Sequence, residues 1–146
     1  MIEIRRATEA DLSAVIRLQR QLDEAEARIS KENAARIFAR MNTYPDYGVF
    51  VAEVDGTITG TFTLLVMDKF GHNRKPAGIV EDVVVDVDRR GQGIGAEMMR
   101  FAMEYCSSRG CYKLALSSNA RRTDAHAFYE RLGFRRHVFS FLVELH

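Results

Sequence analysis

Apolar residues recur along this chain with two periods, and the points where the period changes divide it into elements. Ile2 and Ile4 alternate with Glu3 and Arg5, the period of two that a strand with one buried face requires. Thr8 and Asp11 then make a capping-box signature with Asp in place of Glu. The spacing of Leu12, Val15, Ile16 and Leu18 or Leu22 predicts a helix from there, closed by the acidic stretch 23–26. Ser30 has the character of a second N-cap, ahead of a shorter helix with Ile37, Phe38 and Met41 on one stripe. Tyr44-Pro45-Asp46 ends that pattern, because the residue before a proline avoids the helical region.

From Gly48 the period shortens. Runs 49–54 and 57–67, joined by Asp55-Gly56, predict a β-hairpin. Residues 68–76 are a polar, basic loop, and 77–87 is the most β-like run, apolar on both faces from Val83 onward as in a covered central strand. Ile94, Met98, Phe101, Ala102 and Tyr105 predict a helix over 94–109 stopped by Gly110. A strand over 111–116 follows, then a helix with Ala125, Phe128, Tyr129 and Leu132 on one face, ended by Gly133. Alternation returns over 134–145 and predicts terminal β structure, a hairpin around Arg135-Arg136-His137. The order β-α-α-β-β-β-α-β-α-β, with no repeat or linker, predicts one α/β domain over residues 1–146. Its mixed sheet should have about six or seven strands and about four flanking helices.

Composition narrows the function. The length of 146 residues suits a single domain, and 47% hydrophobic with 28% charged residues excludes disordered and collagen-like chains. Lys and Arg number 21 against 20 Asp and Glu, a net charge of +1. A dedicated nucleic-acid binder carries a clustered positive excess, so no nucleic-acid partner is expected. No run approaches the ~20 apolar residues of a membrane span, and the first residues lack the apolar core of a signal peptide. The expectation is a cytoplasmic protein with no membrane partner. Cys106 and Cys111 are too few for a disulfide framework and read as reduced thiols. The four histidines, His72, His126, His137 and His146, are scattered, whereas a zinc site needs three or four convergent ligands. No metal is expected.

Arg89-Arg90-Gly91-Gln92-Gly93-Ile94-Gly95-Ala96 lies between the most apolar strand and the best-patterned helix. Glycines there let a ligand approach the backbone, and the first amides of a helix are unpaired and carry the positive end of its dipole. Strand, glycine turn and helix together form a phosphate site, against the plainer reading of a tight turn. A Walker-type loop is excluded because no Lys-Ser/Thr pair follows. Gly91-x-Gly93-x-x-Ala96 fits the dinucleotide fingerprint formally, but the next strand ends Leu114-Ala115-Leu116-Ser117-Ser118 without the acidic residue that fingerprint needs. Dinucleotide binding remains an alternative.

Arg90-Gly91-Gln92-Gly93-Ile94-Gly95 also matches the (Arg/Gln)-x-x-Gly-x-(Gly/Ala) acyl-CoA signature. Together with the strand run 83–87 before it and Ala125-x-x-Phe128-Tyr129-x-x-x-Gly133-Phe134 after it, the chain resembles the GCN5-related N-acetyltransferases over essentially its whole length. The resemblance implies acetyl-CoA as co-substrate. Its pyrophosphate would lie on the amides of Arg90, Gly91, Gln92, Gly93, Gly95 and Ala96, and its pantetheine arm would pair with the backbone around Val83 and Val85 like an added strand. The segment 117–129 is most similar to the aminoalkylphosphonate N-acetyltransferases. The family's usual Asn three residues before the helix alanine is here Arg122, with Asn119 three residues earlier, so whether Asn119 contacts coenzyme A stays open.

Acetyl transfer to nitrogen needs a base for the ammonium, dipoles for the developing oxyanion, and an acid for the departing thiolate. Ile79-Val80-Glu81-Asp82-Val83-Val84-Val85 resembles the matching strand of polyamine and glucosamine-phosphate acetyltransferases, which makes Glu81 the candidate base and Asp82 its rival. Simple alternation puts Glu81 on the face of Val83 and Val85 unless a bulge resets the register. Tyr129 matches the family's acid; the alternative is a core aromatic. Arg121, Arg122 and His126 read as surface groups. Lys69, His72, Arg74 and Lys75 suit an anionic acceptor, whereas Asp23, Glu24 and Glu26 suit a polyamine. The expected activity is acetyl transfer to a primary amine of a small molecule (aminophosphonate, amino sugar or polyamine) in a ternary complex. Protein N-termini or lysines, and a non-catalytic acyl-CoA sensor, are the alternatives. Family analogy points to a homodimer.

Overall fold

Asp55 and Gly56 both adopt positive φ, 50° and 81°, the twist-matched pair that a two-residue hairpin turn demands. They join β2 (Tyr47–Val54) to β3 (Thr57–Met67). A computed structural model of the chain describes residues 1–23, 28–118 and 122–145. The chain falls into two compact units, 1–115 and 116–146.

The first unit is built on a sheet in the order β1-β2-β3-β4-β5, with β1 at Ile2–Arg6, β4 at Ala77–Val85 and β5 at Leu114–Leu116. Neighbours β1 to β4 are antiparallel. Between β4 and β5, Tyr112 N–H donates to the Pro76 carbonyl and Gly78 N–H to that of Lys113, both at 3.0 Å. Residue numbers therefore rise together, the strands run parallel, and the sheet is mixed.

Helix α1 (Leu12–Leu22) follows a 3₁₀ turn at Glu9–Asp11. The expected capping box is present: Thr8 N–H donates to the Asp11 carboxylate at 2.7 Å. Helix α2 (Lys31–Met41) begins at Ser30, whose hydroxyl accepts the Asn33 N–H at 3.1 Å. Phe38 and Met41 of α2 pack with Ala7, Val15, Val49 and Val51 on one sheet face. On the other face Phe50 stacks on Phe62, centroids 5.3 Å apart, and both meet Phe101 of α4 (Ile94–Ser108). That helix presses close, because a Cβ at Gly78 would collide with the Cys106 sulfur. The basic loop contains α3 (Gly71–Arg74), whose His72, Asn73 and Arg74 all have positive φ.

The second unit holds α5 (Thr123–Arg131), ended by Gly133 at φ 101° with Phe134 N–H bonded to the Tyr129 carbonyl at 3.1 Å. The predicted β structure over 134–145 does not form, so among the described residues the sheet has five strands instead of six or seven. Alternation makes a strand only where a neighbour supplies ladder bonds. The strand predicted over 111–116 shortens to three residues for a local reason: Cys111 N–H closes the end of α4 on the Cys106 carbonyl at 3.0 Å. Among the described residues five helices stand where about four were expected, the extra one being α3 in the predicted loop.

Candidate active site

Ile79–Val85 looks like an uninterrupted strand, yet its pairing with β3 slips. Thr63 lies opposite Glu81 and Thr61 opposite Val84, so Asp82 and Val83 together face Phe62. This two-against-one arrangement is a β-bulge, and Asp82 carries it at φ 54°. Asp tolerates that left-handed conformation better than most residues. The bulge resets which layer each side chain enters. Val80 is opposite Leu64 and Val85 opposite Gly60, both on the α4 side. Glu81 and Val84, opposite Thr63 and Thr61, point toward the layer of α1 and α2. Simple alternation would have put Glu81 with Val83 and Val85; it lies instead on the side of Val84.

Glu81 and Asp82 are both exposed, while Val83 and Val85 are half-buried. The main chain around them is held from two sides. Thr63 donates its hydroxyl to the Glu81 carbonyl at 3.1 Å, and Gln19 of α1 donates its side-chain amide to the Asp82 carbonyl at 3.3 Å. Beyond the strand, Arg17 and Gln21 of α1 both donate to the Asp86 carboxylate, and Gln21 accepts the Val87 N–H at 3.0 Å. Arg17 and Gln21 are four apart and so share a helix face. The Asp88 N–H, Arg17 and Gln21 keep the Asp86 carboxyl below the usual range against the opposing effect of burial. An open depression of about 520 Å³ runs along this side of α1, lined by Ser13, Ile16, Arg17, Arg20 and Gln21.

On its other edge β4 has, among the described residues, only the three-residue β5, whose bonds lie near residues 76–78. A neighbour that short cannot follow β4 to Val85, the ninth and last residue of the strand. The strand end carrying Val83 and Val85 is thus suited to an added strand-like partner.

At the glycine turn, Gly91 and Gly93 have φ of 82° and 81°, and a Cβ on either would meet nothing within 4 Å. Backbone conformation, not internal crowding, selects glycine here, and the space above it is open. Gly93 is the N-cap of α4 and no side chain caps it; the first intrahelical bond is from Glu97 N–H to the Gly93 carbonyl at 3.1 Å. The amides of Ile94, Gly95 and Ala96 precede the ladder and point out of the helix end. Arg90 and Gln92 are exposed, Gly95 and Ala96 half-buried. These residues fit a pyrophosphate.

In the second unit Tyr129 is half-buried, its ring edge-on to Phe128 at 5.1 Å and to Phe134 at 5.8 Å. Burial pushes its hydroxyl above the ordinary phenol value, with the charge of Arg122 opposing. The phenol therefore keeps its proton at neutral pH. Asn119 and Arg121, and the acidic Glu24 and Glu26, lie outside the described residues.

Sequence reasoning missed Tyr47. Burial raises its hydroxyl's pKa, and so do the nearby charges of Asp82 and Glu81. Tyr44 lies 5.2 Å from it, ring to ring. Tyr47 gives the carboxylates an aromatic neighbour, and the only sequence signal was the spacing of the two tyrosines around Pro45. In the basic loop, His72 stacks on Tyr112 at 4.0 Å, while the Lys69 and Lys113 ammonium groups lie 5.9 and 5.5 Å from the same ring. Among the described residues no three His, Cys, Asp or Glu side chains cluster as a metal ion requires. Among the described residues no helix is long and apolar enough to cross a membrane.

A bulged strand followed by an uncapped glycine turn invites comparison with known acyltransferases, and the model of the acetyltransferase (GNAT) family matches residues 14–134. The chain belongs to the GNAT family. A glucosamine 6-phosphate N-acetyltransferase of Trypanosoma brucei brucei is 35% identical over 136 residues, 93% of this chain and 90% of that protein. An aminoalkylphosphonate N-acetyltransferase of Salmonella typhimurium is 30% identical over 141 residues, 95% and 88% of the two chains. The crystal structure of glucosamine-6-phosphate N-acetyltransferase from Arabidopsis thaliana superposes with a TM-score of 0.89 at 29% identity, covering 100% of this chain and 99% of that one. As a GNAT N-acetyltransferase the chain keeps the Arg90–Gly95 signature at the start of α4 and Tyr129 on α5.

Proposed function

We propose that residues 1–146 work as one acetyl-CoA-dependent N-acetyltransferase domain, in the cytoplasm and as a homodimer. The reaction is direct transfer, in a ternary complex, to a primary amine of a small molecule of amino sugar, aminophosphonate or polyamine type. The observation that carries this reading is the bulge at Asp82-Val83, which frees strand backbone immediately ahead of the open glycine turn.

Acetyl-CoA supplies an acetyl group activated as a thioester. Amides from Arg90 to Ala96 hold its pyrophosphate, and the backbone of Val83 and Val85 pairs with its pantetheine arm. Bulge amides stabilise negative charge on the carbonyl oxygen. Glu81, on the side of α1 and α2, removes the ammonium proton, directly or through water, and Asp82 is the substitute for that role. Tyr129 protonates the departing thiolate.

An anionic amine is the favoured acceptor. Lys69, His72 and Lys113 gather around Tyr112, and among the described residues neither lysine has an ion-pair partner. The relatives named above act on a sugar phosphate and on aminoalkylphosphonates. The test is thiol release from acetyl-CoA with glucosamine 6-phosphate, aminoalkylphosphonates, polyamines and a peptide. Turnover with the phosphate or phosphonate amines is expected. Binding of acetyl-CoA without release for any amine would mark a sensor instead.

A further inference from the structure

Asp86 follows directly on β4 and is the N-cap of the 3₁₀ turn Val87–Arg89, just ahead of Arg90 in the anion-binding turn. Its N–H donates to the Thr59 carbonyl of β3, and its carbonyl accepts the Arg89 N–H, both at 2.8 Å. Its carboxylate accepts three more bonds: from the Asp88 N–H at 3.2 Å, from the Arg17 guanidinium at 3.2 Å and from the Gln21 amide at 3.4 Å. Strand, turn and helix thus meet on one residue.

Neither the turn nor stability accounts for an acid here. A Ser would cap the Asp88 N–H equally well, whereas only a carboxylate, with two accepting oxygens, can serve the turn and both donors of α1 together. The Arg17 side chain is 50% exposed, so its ion pair contributes little to folding. What the acid adds is a tie from α1 to the connection between β4 and α4. Gln21 doubles that tie, since its amide oxygen accepts the Val87 N–H at 3.0 Å while its amide nitrogen donates to Asp86. The turn beyond depends on such a tie. Gly91 and Gly93 have permissive backbones, and nothing lies within 4 Å of where their side chains would be. Behind them buried Ile94 and Met98 anchor α4; ahead of them the fixed point is Asp86.

We infer that Asp86, braced by Arg17 and Gln21 of α1, is a positioning residue for the coenzyme: it holds the amides of residues 90–96 where they receive a pyrophosphate, without touching it. The inference rests on the acetyl-CoA reading above and deepens it. Residues 90–96 bind, and Asp86 sets where their backbone points. Amides that are misdirected lose the diphosphate but leave the reacting carbonyl at the bulge where it was. The signature is therefore weaker coenzyme binding with unchanged turnover at saturation.

Two thioesters test it: acetyl-CoA, and S-acetyl-pantetheine, which has the same arm and no pyrophosphate. Asp86→Ser keeps the cap, and Arg17→Met with Gln21→Met keeps Asp86. Each should raise the Kd for acetyl-CoA by calorimetry, and its KM, about tenfold with kcat unchanged. With S-acetyl-pantetheine, kcat/KM should stay at the wild-type value. In the free protein, trypsin should cut after the exposed Arg90 about tenfold faster in both variants, because the turn opens more often. Equal loss with both thioesters would mark general damage to the fold and overturn the proposal. So would wild-type affinity for acetyl-CoA in either variant, or cleavage after Arg90 no faster than in wild type. Wild-type protein that takes up no acetyl-CoA would overturn the acetyl-CoA reading itself, and this inference with it.

Discussion

The side-chain amide of Gln19 donates to the carbonyl of Asp82 across 3.3 Å, tying α1 to the one residue of β4 whose φ is positive. A helix side chain thus fixes the backbone irregularity from which the candidate base projects. Asp82→Gly should keep the fold, because glycine accepts φ 54° without strain. Asp82→Val forces a β-branched residue into the same conformation and should cost about 1–2 kcal/mol. Urea unfolding of the two variants checks the order.

Glu81→Gln preserves the size of the side chain and removes its basicity. The expected loss in kcat/KM is about 10²-fold or more, steepest on the acidic side where the amine is most fully protonated. A pH–rate profile unchanged in shape would remove Glu81 from the role and leave Asp82 to be tested by Asp82→Asn.

Tyr129→Phe leaves the ring contacts with Phe128 and Phe134 in place and deletes the proton. Thermal stability should hold while kcat falls about 10²-fold. Intact turnover would show that Tyr129 serves only as packing.

Gly93→Ala places a Cβ at φ 81° and should cost about 1–2 kcal/mol from backbone strain. A shifted turn also misdirects the amides that follow, so acetyl-CoA should bind about tenfold more weakly by calorimetry.

The Arg5 guanidinium, bonded to Asp11 at 2.7 Å, holds that carboxyl down at about 2, helped by the Thr8 N–H and opposed by burial. A folded-state value below the ordinary one means stability that is complete above about pH 4 and is lost as pH falls toward 2. Asp11→Asn should remove about 1 kcal/mol near neutrality, with solvent screening allowed for, and flatten the acid limb of the stability curve.

Features set by neighbouring residues were legible in the sequence. Asp55-Gly56 fixed the hairpin, Ser30 and the Thr8–Asp11 box fixed two helix starts, and the glycines at 91 and 93 marked the opening of α4. Features set by distant pairing were not. Nothing between Ile79 and Val85 announces a bulge, since no glycine marks it and the slip exists only relative to Thr61 and Thr63. Tyr47 reaches the candidate site through sheet order, which no local pattern encodes. At 134–145 the alternation was real, but a strand also needs a neighbour to supply ladder bonds, and among the described residues none pairs with it.

The extra residue in β4 has a consequence for how such a strand can change over time. Removing Asp82 would leave an unbroken ladder in which Val83 alone faces Phe62, while Glu81, Val84 and Val85 keep their partners and their layers. A one-codon insertion or deletion at this position therefore adds or removes the bulge alone, without turning the rest of the strand over on its way to the anion-binding turn.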